Sequence, residues 1–398
     1  ATGGRRWPDC STLWIGSPRR SPAVYDLIVL GAGPAGSTLA SLAATLPGLR
    51  LLVLDARPLD RPFRPGDRRK SCGGLLAPAA QRALARLHGA LPAALLADPQ
   101  LFAVRAIDLG TGRERWYQRF YVNIRREAFD RWLYARAANL PGVEAVCGAP
   151  VTALRRTARG WMVRTADGRM FAGRFLAGAD GACSPTRRRL FPSLPVRRYV
   201  SIQEAFPAEA AAPHFAAVFA PELTDYYAWG LPKDDEYLIG AALPEGRGAL
   251  ARFDRLKAML RPYGFRPDAP LRREGTLITR PQATFSIGAS VVLPEKNACL
   301  LGEAAGFISP SSAEGVSFAL NSAAALYHGL RAALDRHDAT HAAFFGEVCR
   351  NYLLHLAPLR AALAAKSLKS QILYAPAPRR LVMASGLAAL TPLPHAKE

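Results

Sequence analysis

The residues best suited to chemistry begin with a glycine-rich turn. Gly31, Gly33 and Gly36 stand in the stretch GAGPAG, with Ala35 between the last two. At this spacing the first glycine permits a tight turn, the second lets a pyrophosphate approach the backbone, and the third lets a helix pack closely. A helix opening at that point offers free N–H groups and the positive end of its dipole to a phosphate. Asp55 follows 19 residues after Gly36, where a carboxylate can accept hydrogen bonds from an adenosine ribose. By itself the turn leaves NAD and FAD both open.

Two distant segments add to it. FLAGADGACSPTRRRL sets Asp180 and Gly181 at the end of an apolar run, followed by Ser184 and Arg187. NACLLGEAAGFISPSSAEGVSFAL reads as a strand, then Gly302 and Glu303, a turn holding Gly306 and Pro310, and a helix opened near Gly315. Glu314, at that helix N-terminus, fits a partner for the helix dipole better than a catalytic acid. RKSCGGLL contains Cys72, Gly73 and Gly74; Cys72 fits either a small buried residue or a proton donor. In YYAWGLPK, Tyr227 and Trp229 alternate along a strand and share one face, which suits both core packing and a pocket wall. Lys233, at the end of that segment, reads as a solvated turn residue.

These residues need elements to hold them. YDLIVL is a buried parallel strand running into the turn, PAGSTLASLAATL the helix after it, and LRLLVLD a second strand ending at Asp55. The stretch 57–74, rich in Arg, Pro and Gly, is a loop, and 77–87 a helix. Segments 101–109 and 115–123 form a hairpin, 126–138 a helix, and the region to 190 short strands. Residues 200–284 read as mostly β. Helices are expected at 315–332 and from about 340 to 356, followed by a basic amphipathic tail.

At this point the sequence resembles the flavoproteins of the p-hydroxybenzoate hydroxylase fold, whose second and third motifs are an ADG and a GDAAG…P segment. The resemblance implies that FAD is the cofactor. It also implies that the acid of the third motif, here Glu303 in place of Asp, meets the flavin ribityl chain, and that the helix after Pro310 points at the N1/C2 edge of the ring. RKSCGGLL further resembles the Cys-Gly-Gly segment of geranylgeranyl reductases, which faces the isoalloxazine. Glycine at 74 would then keep the substrate's path to the ring open. YYAWGLPK resembles their YxWxFP segment, which lines the prenyl tunnel, while Arg126, Phe129 and Asp130 match their RxxFD helix. The likeness spans roughly residues 25 to 330.

The fold class implied is α/β: a Rossmann-like FAD-binding domain with an interleaved, mainly β substrate domain and a helical C-terminus. The expected division is a disordered leader at 1–24, FAD-binding parts at 25–70, 123–190 and 285–332, substrate parts at 71–122 and 191–284, and a helical segment at 333–398. The implied activity is a reductase moving hydride from flavin to a double bond of a hydrophobic, isoprenoid-like molecule. Cys72 would be catalytic, and Gly73, Gly74, Tyr227 and Trp229 would bind substrate. A flavin-dependent monooxygenase or halogenase and a membrane-associated electron carrier are the alternatives. The electron donor would be NAD(P)H or a redox protein.

Composition narrows the partners. The chain of 398 residues carries a formal net charge of +21, but only seven of its 52 basic residues are Lys. A scattered basic surface would account for this, as would attraction to an anionic membrane or a substrate phosphate, while no basic helix with interleaved aromatics suggests nucleic acid. Six cysteines without a CxxC pair fit a reducing, cytoplasmic setting without a metal site. No run is long and apolar enough to span a bilayer. Leu356, Leu359 and Leu363 at helical spacing, with Arg360, Lys366, Lys369, Arg379 and Arg380 nearby, would allow peripheral membrane contact.

Overall fold

The computed structural model describes residues 23–208, 213–282, 290–336 and 343–390. The expected leader, with Cys10, lies outside the described residues except for Ala23 and Val24, as do the first residues of the helix expected from about 340.

The apolar run at the start of the chain folds as the strand Val24–Leu30, at the centre of a parallel sheet. Leu51–Leu54 flanks it on one side and Met170–Gly178 on the other. Val143–Val146 and Ala298–Leu300 extend the two wings, again in parallel. Strands covered on both faces lose polar alternation, and each residue of Leu51–Leu54 is buried. Leu27 and Val29 face the helices Pro34–Ala43 and Val316–Leu334. Ile28 and Leu30 face the other way, onto Trp161, Val163 and Phe171 of an antiparallel meander, Val151–Thr157, Gly160–Thr165 and Met170–Gly178. The helix Arg126–Ala138 keeps the bounds expected of it.

A second sheet has eight strands, in the order Arg272–Pro281, Val196–Pro207, Glu236–Pro244, Ala228–Lys233, His214–Phe219, Leu101–Asp108, Arg113–Asn123 and Leu75–Leu76. Its pairs are antiparallel except that of His214–Phe219 with Leu101–Asp108. One face is covered by the helix Ala249–Leu260, which the mostly β reading of 200–284 passed over. Phe253, Leu256 and Leu260, spaced by three and four, pack there on Ile239, Ala241 and Leu243. Trp229 and Leu231 lie in a separate apolar cluster with Leu101, Tyr199 and Tyr226. Strands of the two sheets alternate along the chain. The architecture is therefore α/β, with a Rossmann-like domain, an interleaved β domain and a helical C-terminus.

The tail turns its expected leucine stripe inward. It forms the helices Phe344–His355, Ala357–Tyr374 and Pro376–Ser385, and Leu356, Leu359 and Leu363 are buried in the core of the parallel-sheet domain. That stripe packs on protein and is not available to a bilayer. Arg379 is buried as well, with Nε 3.0 Å from Asp108 Oδ2. Among the described residues, no helix is long and apolar enough to cross a membrane.

Candidate functional site

The three glycines of the first turn answer to different demands. Gly31 has φ +101°, and a Cβ on it would lie 2.4 Å from the Ala179 carbonyl oxygen at the end of the neighbouring strand. A Cβ on Gly36 would lie 1.8 Å from the Gly31 carbonyl oxygen. Glycine at these positions serves the protein's own packing. Gly33 has φ −73°, and its Cβ would meet only Arg57 Nη2, at 3.7 Å. Among the described residues nothing else demands glycine there, which leaves space beside an uncapped helix N-terminus, where a phosphate would bind. Ala35 lines the same space.

Asp55 ends the second strand as expected, but its carboxylate is already engaged. It accepts from Ala32 N at 2.7 Å and from Arg57 through its backbone N at 2.7 Å and Nη2 at 3.0 Å. The charges continue inward. Arg57 Nη1 lies 2.7 Å from Asp130, Arg126 Nε 2.8 Å from the other Asp130 oxygen, and Arg126 Nη1 3.4 Å from Cys72 Sγ. Burial works to raise the Asp130 carboxyl; the Arg126 and Arg57 guanidiniums outweigh it and hold the group below the usual carboxylate value. Arg126 thus orders Asp130 and the cysteine loop while lining the cavity. Arg57, unmarked by any motif, sits closest to Gly33.

In the second segment, Asp180 Oδ2 accepts from Thr186 N at 3.1 Å and Thr186 Oγ1 at 2.7 Å, while Oδ1 is buried with no hydrogen-bond partner among the described residues. Burial pushes this carboxyl up. Ser184 caps the next short helix by accepting from Arg187 N at 2.8 Å. The Arg187 guanidinium donates to the carbonyls of Ala182, Glu303 and Ala304, and so ties the second segment to the third.

The third segment is joined to both domains. Glu303 Oε2 lies 2.8 Å from Lys70 Nζ, and Oε1 accepts from Thr279 N at 3.0 Å. Burial would raise the Glu303 carboxyl, but Lys70 prevails and lowers it. The acceptor expected for a ribityl chain is therefore engaged through both oxygens. Glu314 accepts from Ser317 N at 2.6 Å, in agreement with a helix-terminus role.

The cysteine loop packs on the second sheet. Gly74 has φ +69°, and a Cβ there would lie 2.4 Å from the Ile124 carbonyl oxygen and 2.8 Å from Lys233 Nζ. The residue is glycine because the protein itself leaves no room, which corrects the idea that it clears a path for substrate. A Cβ on Gly73 would come 2.9 Å from Leu231 Cδ2. Lys233 is not a solvated turn residue either. It ends the strand Ala228–Lys233, and its Nζ donates to Asn123 Oδ1 and the Ile124 carbonyl, both at 2.7 Å. Burial lowers its pKa to about 8.

A single cavity of about 1180 Å³ joins these parts. Gly31, Gly33, Ala35, Asp55, Asp180 and Gly181 line one end. Arg126, Glu303, Gly315, Cys72, Gly73 and Gly74 line the middle. Beyond them come Tyr227 and Trp229, whose rings share a face with centroids 5.7 Å apart. Trp229 Nε1 donates to Gln203 Oε1 at 3.1 Å. The far end lies among Leu373, Met383 and Leu387 of the tail. Gly36, Gly302, Gly306 and Pro310 stand behind the wall and shape its turns. Gly302 and Gly306 do so at φ +52° and +76°. Among the described residues, no group of His, Cys, Asp and Glu could hold a metal ion.

This two-sheet fold with a cavity between its halves is one that flavoproteins share. A geranylgeranyl bacteriochlorophyll reductase-like protein from Thermoplasma acidophilum matches with a TM-score of 0.68 at 18% identity, over 90% of this chain and 98% of its own. PqsL of Pseudomonas aeruginosa, described as a probable FAD-dependent monooxygenase, matches at 0.65 and 20% identity, over 92% and 100%. The flavin-dependent brominase Bmp2 matches at 0.59 and 18%, over 91% and 93%. At these identities the likeness is one of fold. No family model matches the chain. Protein CbrA of Escherichia coli is 36% identical over 369 residues, covering 92% of this chain and 94% of that protein, and CbrA of Shigella dysenteriae is also 36% identical, covering 92% and 97%. The chain belongs to the CbrA family.

Proposed function

We propose that the chain binds FAD and works as a reductase that saturates a double bond in an apolar, isoprenoid-like molecule. The observation that carries this reading is the continuity of the cavity, from the glycine turn past the Cys72 loop to an aromatic wall. Three features fit FAD. Gly33 leaves a cradle that a side chain would fill, the adjacent helix end is uncapped, and Asp180 Oδ1 is a buried acceptor awaiting a donor. Ala35 and its helix terminus would hold the pyrophosphate, with Arg57 beside it. Bound FAD would supply hydride-transfer chemistry, recharged by NAD(P)H or a redox protein. Trp229, Tyr121 and Phe215 would bury the apolar chain and exclude water. Cys72 Sγ, held by Arg126 Nη1 and the Gly74 N–H, would carry the proton that completes the saturated product.

A monooxygenase or halogenase is the second reading, favoured by the Tyr227-x-Trp229-x-x-Pro232 strand, a pattern similar to that of halogenases. The purified protein should show absorbance near about 370 and 450 nm, consistent with one flavin per chain. Reduced protein incubated anaerobically with geranylgeranyl lipids should yield product carrying two new hydrogens. Product formed only in air, with an added hydroxyl or halogen, would establish the second reading instead.

A further inference from the structure

The loop 309–312, which leads into the helix Val316–Leu334, is held by four hydroxyl groups of other segments. Tyr226 Oη donates to the Ser309 carbonyl at 3.0 Å, and Tyr227 Oη to Ser312 at 2.8 Å. These two come from the second sheet's side of the molecule. The other two come from the tail helix Ala357–Tyr374: Ser370 Oγ donates to the Pro310 carbonyl and Tyr374 Oη to Ser311, both at 3.0 Å. Four successive carbonyls are thus each fixed by one hydroxyl.

Arg280 joins the two sources. Its guanidinium carbon lies 4.8 Å from the ring centroids of both Tyr226 and Tyr374, and Nη2 donates to Ser370 Oγ at 2.7 Å. Nη1 is anchored on the Asp225 carbonyl at 2.8 Å. A cation donating to a hydroxyl that itself donates to a carbonyl strengthens both bonds. The loop also contains Ala313 at φ +49°, a left-handed conformation that a residue with a Cβ keeps only when its surroundings enforce it. Ser311, Ser312, Ala313, Glu314 and Gly315 line the cavity, as do Tyr227 and Tyr374. Because C=O and N–H of one trans peptide point in opposite directions, fixing the carbonyls of 310–312 fixes the amides of 311–313, and of these Ser312 N and Ala313 N turn back onto the Ser309 carbonyl, the latter at 3.0 Å.

We propose that Ser370 and Tyr374 of the tail helix, with Arg280 as their anchor, are positioning residues for the site: they set the course of the loop 309–315 along the cavity and so the place of the helix terminus that follows it. The tail is then a working part of the site, not an appendage. This rests on the FAD reading for its consequence but not for its geometry. A helix terminus held at the ring favours the anionic reduced flavin over the oxidised one.

The test is the double substitution Ser370→Ala and Tyr374→Phe, which keeps the tyrosine ring. Amide hydrogen exchange of 309–316, measured without added FAD, should speed up at least tenfold. With FAD bound, the preference for the reduced form should fall about tenfold, read as a shift of about 30 mV toward more negative two-electron potential. Ser370→Thr should retain wild-type values in both measurements, since its hydroxyl can make the same bond. Unchanged exchange in the double variant would overturn the grip, and faster exchange with an unchanged potential would overturn its role toward the flavin. If the wild-type chain takes up no FAD, the functional reading fails while the exchange measurement still judges the grip.

Discussion

The two ends of the cavity are built by opposite means. At the turn end the wall is largely main chain: a helix terminus, Gly31, Gly33 and Gly181, and the ends of parallel strands. At the far end it is side chain: Tyr227, Trp229 and the tail residues Leu373, Met383 and Leu387, projecting from a mostly antiparallel sheet and two helices. A backbone wall presents N–H groups at fixed positions whatever the neighbouring side chains, which suits an invariant group such as a pyrophosphate. A wall of side chains can be resized by substitution, which suits discrimination among apolar molecules.

The sharpest way to break this comparison is within the turn. Gly36→Val would place carbon atoms inside the Gly31 carbonyl, so we expect no folded, soluble protein. Gly33→Val meets only the end of Arg57, so its thermal midpoint should match wild type when both are free of flavin, whereas flavin content should fall to background. A Gly33→Val protein that is fully yellow would show that the turn does not hold the pyrophosphate.

At the other end, Trp229→Ala should cost about 3 to 5 kcal/mol of stability in a urea titration, as buried aromatic truncations do. Its ring is buried, lies against Gly240, where a Cβ would come 2.3 Å from it, and bonds Gln203. Here a loss of substrate affinity cannot be separated from a loss of fold by one variant. Trp229→Phe, with most of the ring kept, should lose under half as much stability and so isolate the effect on apolar substrate.

Lys233 gives a smaller effect with a defined sign. Its pKa in the folded chain is about 8 against an ordinary 10.5, so between these values the unfolded chain binds more protons. Stability from this group therefore rises as pH increases from about 8 to 10.5, by on the order of 2 to 3 kcal/mol. Lys233→Met should lose that rise relative to wild type when denaturant midpoints are compared at pH 8 and 10. Equal pH slopes in the two proteins would mean that the amine is solvated after all.

What the sequence determined by itself was the part of the site made from local backbone. The strand, turn and helix at 24–43 follow from an apolar run, glycines at fixed spacing and a proline at the helix start, all within one stretch of chain. The same holds for Asp180 at its strand end and for the helix Arg126–Ala138. The contacts that cross between distant segments were not legible. The engagement of Asp55 by Arg57, of Glu303 by Lys70, and of Cys72 by Arg126 depends on which of many similar charges the fold brings within 3.4 Å. Lys233 read as solvated because lysine after a strand usually is, and only the packing of the Gly73–Gly74 loop against its strand buries it. The tail shows the limit most clearly. Its amphipathic spacing correctly marks a helix with one apolar face, but periodicity states only that this face must be covered, and the fold decided that protein covers it.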